Sequence, residues 1–401
     1  MIATTATSRP RIVHLVLALG GFAIGTTEFA TMSLLPYLAH DLQISVPVAG
    51  HVISAYALGV VVGAPLIAVL SARLPRSTLL IALMGLYALA NGLSAVAPNY
   101  RWMLGLRFLS GLPHGAYFGI AMLVAASVVP ANQRARAAGH VLLGLTVATI
   151  VGVPLANWLG QVVGWRWCFG IVAALALATA ILVAIFIPKA QPDKGASPAR
   201  ELGALRRGQV WLTLAIGAIG FGGVFSVYTY LASTLMAVTA VPVRLVPMVF
   251  AAFGVGMTAG NIIVPYFADR AVMRTAGLLL LGSAMTLALY PVAAARFGTV
   301  TLDVMAIGFC GALATVLQTR LMDVAGDAQS LAAALNHSAF NVANALGPWL
   351  GGLAIAAGFG WTSTGWVGCG LALGGFAAWV IALITDRSPR AVVGRDDPAA
   401  A

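Results

Sequence analysis

Residues 25–36, GTTEFATMSLLP, hold a glutamate inside a run that is otherwise small, apolar or hydroxylated. Glu28 lies 17 residues beyond Arg11, roughly 25 Å along a helix that rises 1.5 Å per residue. Arg107 follows Arg101 by six residues, roughly 9 Å from the opposite surface by the same rise, so the two depths nearly coincide. An ionised side chain at the centre of a membrane helix costs about 2.5–3.5 kcal/mol even on a lenient scale, and an opposite charge at equal depth is its natural partner. Two readings stay open. Glu28 and Arg107 form a static lock, or Glu28 faces water near the outer end; alternatively, the carboxyl loads a proton when its compartment closes and releases it when Arg107 or water approaches.

Other polar side chains could share that work. His114 and Phe118 follow Arg107 at seven and eleven residues in RFLSGLPHGAYFG, which places them on one helical face, with Pro113 loosening the turn between. The histidine reads either as a hydrogen-bonded structural group or as a cavity-lining proton relay. Further on, LNHSAFNVANALGPWLGG sets His337, Asn341 and Asn344 on one face, suited to joining helices or to recognising a substrate. The aromatic stretch Phe221–Tyr230 offers Phe221, Phe225 and Tyr228 for packing or for contact with a lipophilic substrate. Asn91, Asn157 and Asp303 are weaker candidates.

The elements that must hold these residues follow from composition. The chain has 401 residues, 60% hydrophobic and 8% charged, with a mean hydropathy of +0.96. That excludes a soluble globule, since soluble domains carry about 25% charged residues. Apolar runs of about 20 residues recur along the whole length without strand-like alternation, so each is a membrane-crossing helix. Polar breaks predict twelve spans beginning near residues 14, 47, 77, 102, 134, 166, 210, 244, 275, 299, 329 and 362. With the N-terminus inside, 17 of the 22 basic residues fall in cytoplasmic segments. Arg101, Arg166, Arg244 and Arg296 fall opposite, which is the positive-inside pattern. The net charge of +11 therefore reports topology and not a nucleic-acid partner.

The polar segment Pro188–Gly208 reads as a cytoplasmic linker. It separates an N-terminal six-helix bundle, 12–187, from a C-terminal one, 209–385, followed by a cytoplasmic tail, 386–401. Shifting the halves by 197 residues lays Gly59-x-x-x-Gly63 on Gly256-x-x-x-Gly260 and Arg73 on Arg270. The predicted fold is thus an all-α integral membrane protein of twelve transmembrane helices in two parallel-repeat bundles, with a site at their interface. The same shift matches Glu28 to Phe225 and Arg107 to Val304, so the halves are chemically unequal.

Enzyme chemistry finds no footing. The sequence has no GxxxxGK[ST], no HExxH and no acid pair placed for hydrolysis, and Cys168, Cys310 and Cys369 stand singly. No cofactor and no metal are expected.

Several segments together resemble the major facilitator superfamily, in particular its twelve-helix drug:proton antiporter branch. They are EFATMSLLPYLAHDL, GAPLIAVLSARLPR, RFLSGLPHG with Arg107, GVPLANWLGQVVGWRW and ALGPWLGG. The likeness spans about residues 12–385. It implies that Gly152 and Pro154 shape a helix at the interface between halves, and that Arg73, Arg76, Asp269 and Arg270 belong to cytoplasmic gating loops. Ser71-Ala72-Arg73 departs from the family's usual acid, whereas Asp269-Arg270 retains it. The wording GTTEF…LLP, YALGVVVGAP and LNHSAFN is most similar to permeases of sugar-efflux, purine-efflux or chloramphenicol-resistance type. The resemblance implies rocker-switch alternating access driven by protons.

The expected function is export of a small organic molecule, such as a drug, in exchange for protons, with Glu28 as proton site and Arg107 as its modulator. The competing expectation is a proton-independent or uptake facilitator for a sugar, nucleobase or similar polar solute. The expected setting is the plasma membrane, the inner one if the source has two, with both termini cytoplasmic; a monomer suffices.

Overall fold

A computed structural model of the chain describes residues 10–70, 74–130, 133–187, 206–325 and 329–386. Among these, twelve helices are long and apolar enough to cross a membrane. They are α1 Pro10–Ser33, α2 Val46–Ile67, α3 Arg76–Ala95, α4 Tyr100–Ser127, α5 Gly139–Val162 and α6 Trp165–Phe186, then α7 Gly208–Ala237, α8 Val243–Ile263, α9 Pro265–Ala293, α10 Phe297–Ala325, α11 Leu335–Phe359 and α12 Ser363–Thr385. A short helix, Leu35–Asp41, follows α1. Exposed Trp102, Trp167, Trp211 and Trp366 sit near helix starts, where amphipathic rings meet the headgroup layer.

Most spans begin within a few residues of their predicted starts; α9 begins about ten residues early, because the polar AspArg pair expected in a loop is helical. Asp269 and Arg270 occupy a short turn from Pro265 that ends at a kink, where Ala271 leaves helical geometry at φ −160°, ψ 73°.

The repeat is visible in helix packing. In the first half α2 meets α4 so closely that a Cβ on Gly59 would strike the Phe108 carbonyl, one on Gly63 that of Leu112, and one on Gly111 that of Tyr56. In the second half α8 meets α10 through Gly256 on Met305, Gly260 on Phe309 and Gly308 on Phe253. Each second contact is its first-half counterpart moved by 197 residues. Without a hydrophobic force between helices in lipid, such backbone approach is what holds these pairs.

The halves meet where α2 packs on α11 and, at the equivalent place, α5 packs on α8. Ser54 of α2 donates to the Ala345 carbonyl of α11 at 2.9 Å. In α5 the π-helical turn Ala148–Gly152 precedes Pro154, which has no N–H to give to the ladder. That turn touches both bundles. Gly152 lies against the Thr26 hydroxyl of α1, and Gly254 of α8 lies against the Thr149 carbonyl.

Candidate functional site

Helix α4 positions the guanidinium. Asn99 caps its first turn by accepting from the Trp102 N–H at 3.2 Å, and Arg107 then stands about two turns in. Arg107 is 1% exposed. Its Cζ lies 4.2 Å from the centroid of the Tyr56 ring and 5.5 Å from that of Phe169, and its Nη1 donates to Ser110 Oγ at 3.3 Å. Buried Arg107 Nε has no hydrogen-bond partner.

Glu28 is also buried, at 7% exposure, and among the described residues the expected direct Glu28–Arg107 ion pair is not formed. The physical reason is Tyr56, whose aromatic face takes the guanidinium as a cation–π partner and whose hydroxyl reaches on toward the acid. Tyr56 Oη hydrogen-bonds His114 Nδ1 at 2.8 Å and lies 3.3 Å from Tyr87 Oη. His114 Nε2 then stands 4.0 Å from Glu28 Oε2. On the other side Asn344 Nδ2 of α11 donates to Glu28 Oε1 at 3.2 Å. One polar chain thus runs Arg107–Tyr56–His114–Glu28–Asn344, from α4 through α2 and α1 to α11, and it crosses from one half to the other. The charges of Arg107 and Glu28 still interact along it.

The remaining predicted residues fall into three groups. His337 stacks on Phe118 with centroids 5.6 Å apart and rings 8° from parallel, and its ring lies 6.5 Å from that of His114, so α11 faces α4 here. Phe225 stacks 6.3 Å from Phe29, the neighbour of Glu28, and Phe221 sits edge-on to Phe340 of α11 at 4.7 Å. Tyr228 meets Phe29 edge-on at 5.8 Å and packs closer still to Phe253, at 4.3 Å. Phe29, Phe118, Phe221, Phe225, Tyr228 and Phe253 are buried here, while His337 and Phe340 are half-buried.

Asn341 donates within its own helix to the His337 carbonyl at 3.0 Å, while its Oδ1 is buried without a partner. Asn91 likewise donates to Tyr87 O of its own helix, and Asn157 ties α5 to the Ser33 carbonyl at 2.8 Å. Asp303 stands apart from the chain of contacts. Of the expected gating residues, Arg73 lies outside the described residues. Arg76 opens α3. Asp269 and Arg270 are exposed and, among the described residues, enter no ion pair; Arg270 Nη1 donates to Tyr266 O at 3.0 Å.

Tyr56 and Tyr87 went unnoticed in the sequence as functional groups. The available signal was a phenol three residues before the Gly59 contact, in a helix where packing needs none.

At the end where α1 finishes, Asp41 pairs with Arg166, whose guanidinium covers the Trp165 ring at 4.3 Å and donates to the Ala97 carbonyl at 3.1 Å. The hydrogen bond from Arg166 holds the Asp41 carboxyl below its ordinary range. Nearby, Gln161 Nε2 donates to Val243 O at 3.1 Å, a further tie between the halves beside those of Ser54 and Asn344.

This architecture and polar seam can be set beside known proteins. The family model described as Major Facilitator Superfamily matches residues 17–322. The chain belongs to the major facilitator superfamily. Superfamily relatives include the inner membrane transport protein YdhP of Escherichia coli K12, 41% identical over 349 residues, covering 87% of this chain and 90% of that protein. A chloramphenicol resistance protein of Streptomyces lividans is 32% identical over 340 residues, covering 83% of this chain and 86% of its own. Among solved structures, the fold matches a bacterial homolog of the human lysosomal transporter Spinster in an inward-facing, occupied conformation, with a TM-score of 0.71 at 17% identity. That match covers 95% of this chain and 98% of the other. The nucleoside transporter NupG (D323A mutant) matches with a TM-score of 0.73 at 14% identity, over 92% and 99% of the two chains. As a superfamily member this is a multi-pass membrane transporter of a small solute, and not an enzyme.

Proposed function

We propose that the protein exports a small organic molecule in exchange for protons, by alternating access between two bundles comprising about residues 12–187 and 209–385, with both termini cytoplasmic. The observation that carries the reading is the position of Glu28: one carboxyl group, nearly sealed from solvent, holds an amide of the opposite half and faces a histidine of its own half. An ionised carboxylate there accepts the Asn344 N–H with charge-assisted strength. A protonated one gives up most of that attraction, so proton loading and separation of the halves are linked through a single contact. His114 and Tyr56 supply the relay toward Arg107, whose charge favours release of the proton.

The aromatic wall of Phe29, Phe225 and Tyr228 beside the acid suits a neutral, partly lipophilic solute, and the relative named for chloramphenicol resistance agrees with export of that class. Each proton moved down the membrane potential contributes about 2.3 kcal/mol per 100 mV, enough for about a fifty-fold solute gradient.

The test is a pH gradient imposed on sealed vesicles containing the purified protein, probed with chloramphenicol, a sugar and a purine. Uphill accumulation of one of them that collapses with the gradient is the expected result. Equilibration of a solute to equal concentrations, indifferent to the gradient, means a facilitator in which Glu28 and Asn344 only clasp the halves together.

A further inference from the structure

Of the eleven acidic residues of the chain, six are among the described residues, and Asp41 and Asp386 of these stand at helix ends. Asp269 and Asp323 belong to α9 and α10 but are exposed. Among the described residues, the acid within a span that is not exposed, besides Glu28, is Asp303 of α10; the residue is partly buried, and its Oδ2 is fully buried with no hydrogen-bond partner.

Its surroundings are polar yet uncharged. Asp303 lies within electrostatic reach of Tyr290 of α9 and of Cys310, two turns along its own helix. Cys310 Sγ comes within 3.6 Å of where a Cβ on Gly282 of α9 would stand, so this face of α10 looks onto α9 and not onto lipid. On α9 the Tyr290 hydroxyl and Ser283 Oγ are also buried without partners. The other helices packed here bring no counter-charge. Helix α7 contains no acid, base or histidine, and α8 carries Arg244 alone, at its start. The charged residues of α9 lie at its opposite end, and Arg296 is exposed at the head of α10.

Among the described residues the buried Oδ2 has neither an ion partner nor a hydrogen-bond donor, a state costly for an ionised carboxylate within a membrane span. A metal cation would require several further oxygen ligands, and the described residues contain no group of three or more acids, histidines or cysteines. A hydrogen ion needs one oxygen and cancels the charge outright. We propose that Asp303 is a second proton-binding site of this transporter, held in the C-terminal bundle between α9 and α10 and loaded independently of Glu28. The Tyr290 hydroxyl, also buried and within electrostatic reach of Asp303, is a polar group the structure offers to its proton. This goes beyond the coupling role given to Glu28 and does not rest on it.

The experiment is infrared spectroscopy of the full chain in lipid vesicles at neutral pH, reading the carbonyl stretch of protonated carboxyl groups and its shift in deuterium oxide. The comparison is made in the Glu28→Gln background, so the outcome is independent of Glu28. Expected is a protonated-carboxyl band that persists in Glu28→Gln and is lost in Glu28→Gln/Asp303→Asn. Asp303→Glu keeps a carboxyl and should restore the band at a shifted frequency, which maintains the test should Asp303→Asn not fold. A band unchanged by Asp303→Asn overturns the proposal. So does its disappearance when sodium replaces a bulky organic cation at constant pH, which would make the site a metal-cation site.

Discussion

Removing the amide that reaches across the halves should free them. Asn344→Ala deletes the 3.2 Å bond from Nδ2 to Glu28 Oε1, both residues being almost fully buried. A hydrogen bond to a charged group contributes about 1.5–3 kcal/mol, while bonds between helices in membranes average about 0.6 and reach about 1.7. The overlap of those ranges gives about 1.5 kcal/mol, or roughly a tenfold change in the odds of the joined arrangement, because the bond exists only when α1 and α11 are together. Pulsed electron–electron distance measurement can count those odds. Spin labels at the exposed Val162 and Val243, which flank the Gln161 tie, report whether the halves are together at that end. Asn344→Ala should raise the long-distance population about tenfold in odds at neutral pH. In a Glu28→Gln background the same substitution should have less than half that effect in free energy, since the acceptor is neutral. Equal effects in both backgrounds, or no effect in either, would refute the link between the carboxyl charge and the closure of the halves.

Three further outcomes follow from particular contacts. Tyr56→Phe removes the hydroxyl on His114 Nδ1 but keeps the ring beneath Arg107; transport should slow severalfold with an unchanged melting temperature, whereas Tyr56→Leu should also cost about 2 kcal/mol of stability from the lost cation–π contact. Gly256→Ala drives a methyl into the Met305 carbonyl and should lower the melting temperature in detergent, while Gly85→Ala, with open space around it, should leave it equal or higher. Asp41 has a carboxyl held below its ordinary value, so its stabilising pairing is complete above about pH 4 and is lost as pH falls through the lowered value. Asp41→Asn should therefore cost less than about 1 kcal/mol at pH 7, given a half-exposed pair, and the difference from wild type should vanish in melts at strongly acid pH.

The membrane fold was legible because hydrocarbon thickness and backbone satisfaction leave few options for apolar runs of this length. The 197-residue register was legible because glycines mark close helix pairs, and the contacts of Gly59, Gly63 and Gly111 recur at Gly256, Gly260 and Gly308. The start of α9 was not, since Asp269 and Arg270 look like a loop while the break comes at Ala271. At the site, the cost of burying Glu28 and Arg107 pointed to both side chains, but depth along two helices cannot tell a carboxylate partner from an aromatic face. Tyr56 was hidden for that reason: in a span, a tyrosine reads as packing until its hydroxyl is seen on His114 and its ring under Arg107. Asn344 was on the predicted polar stripe, yet nothing in its spacing distinguished it from Asn341, which bonds within its own helix.

The central claim concerns what Glu28 does, and paired assays on one variant test it. In vesicles, Glu28→Gln should still exchange labelled solute for unlabelled solute across the membrane, because the pathway and the hinges between halves remain. The same variant should fail to accumulate that solute when a pH gradient is imposed. Gradient-driven accumulation at the wild-type level in Glu28→Gln would contradict the account and leave Glu28 a clasp between the two bundles.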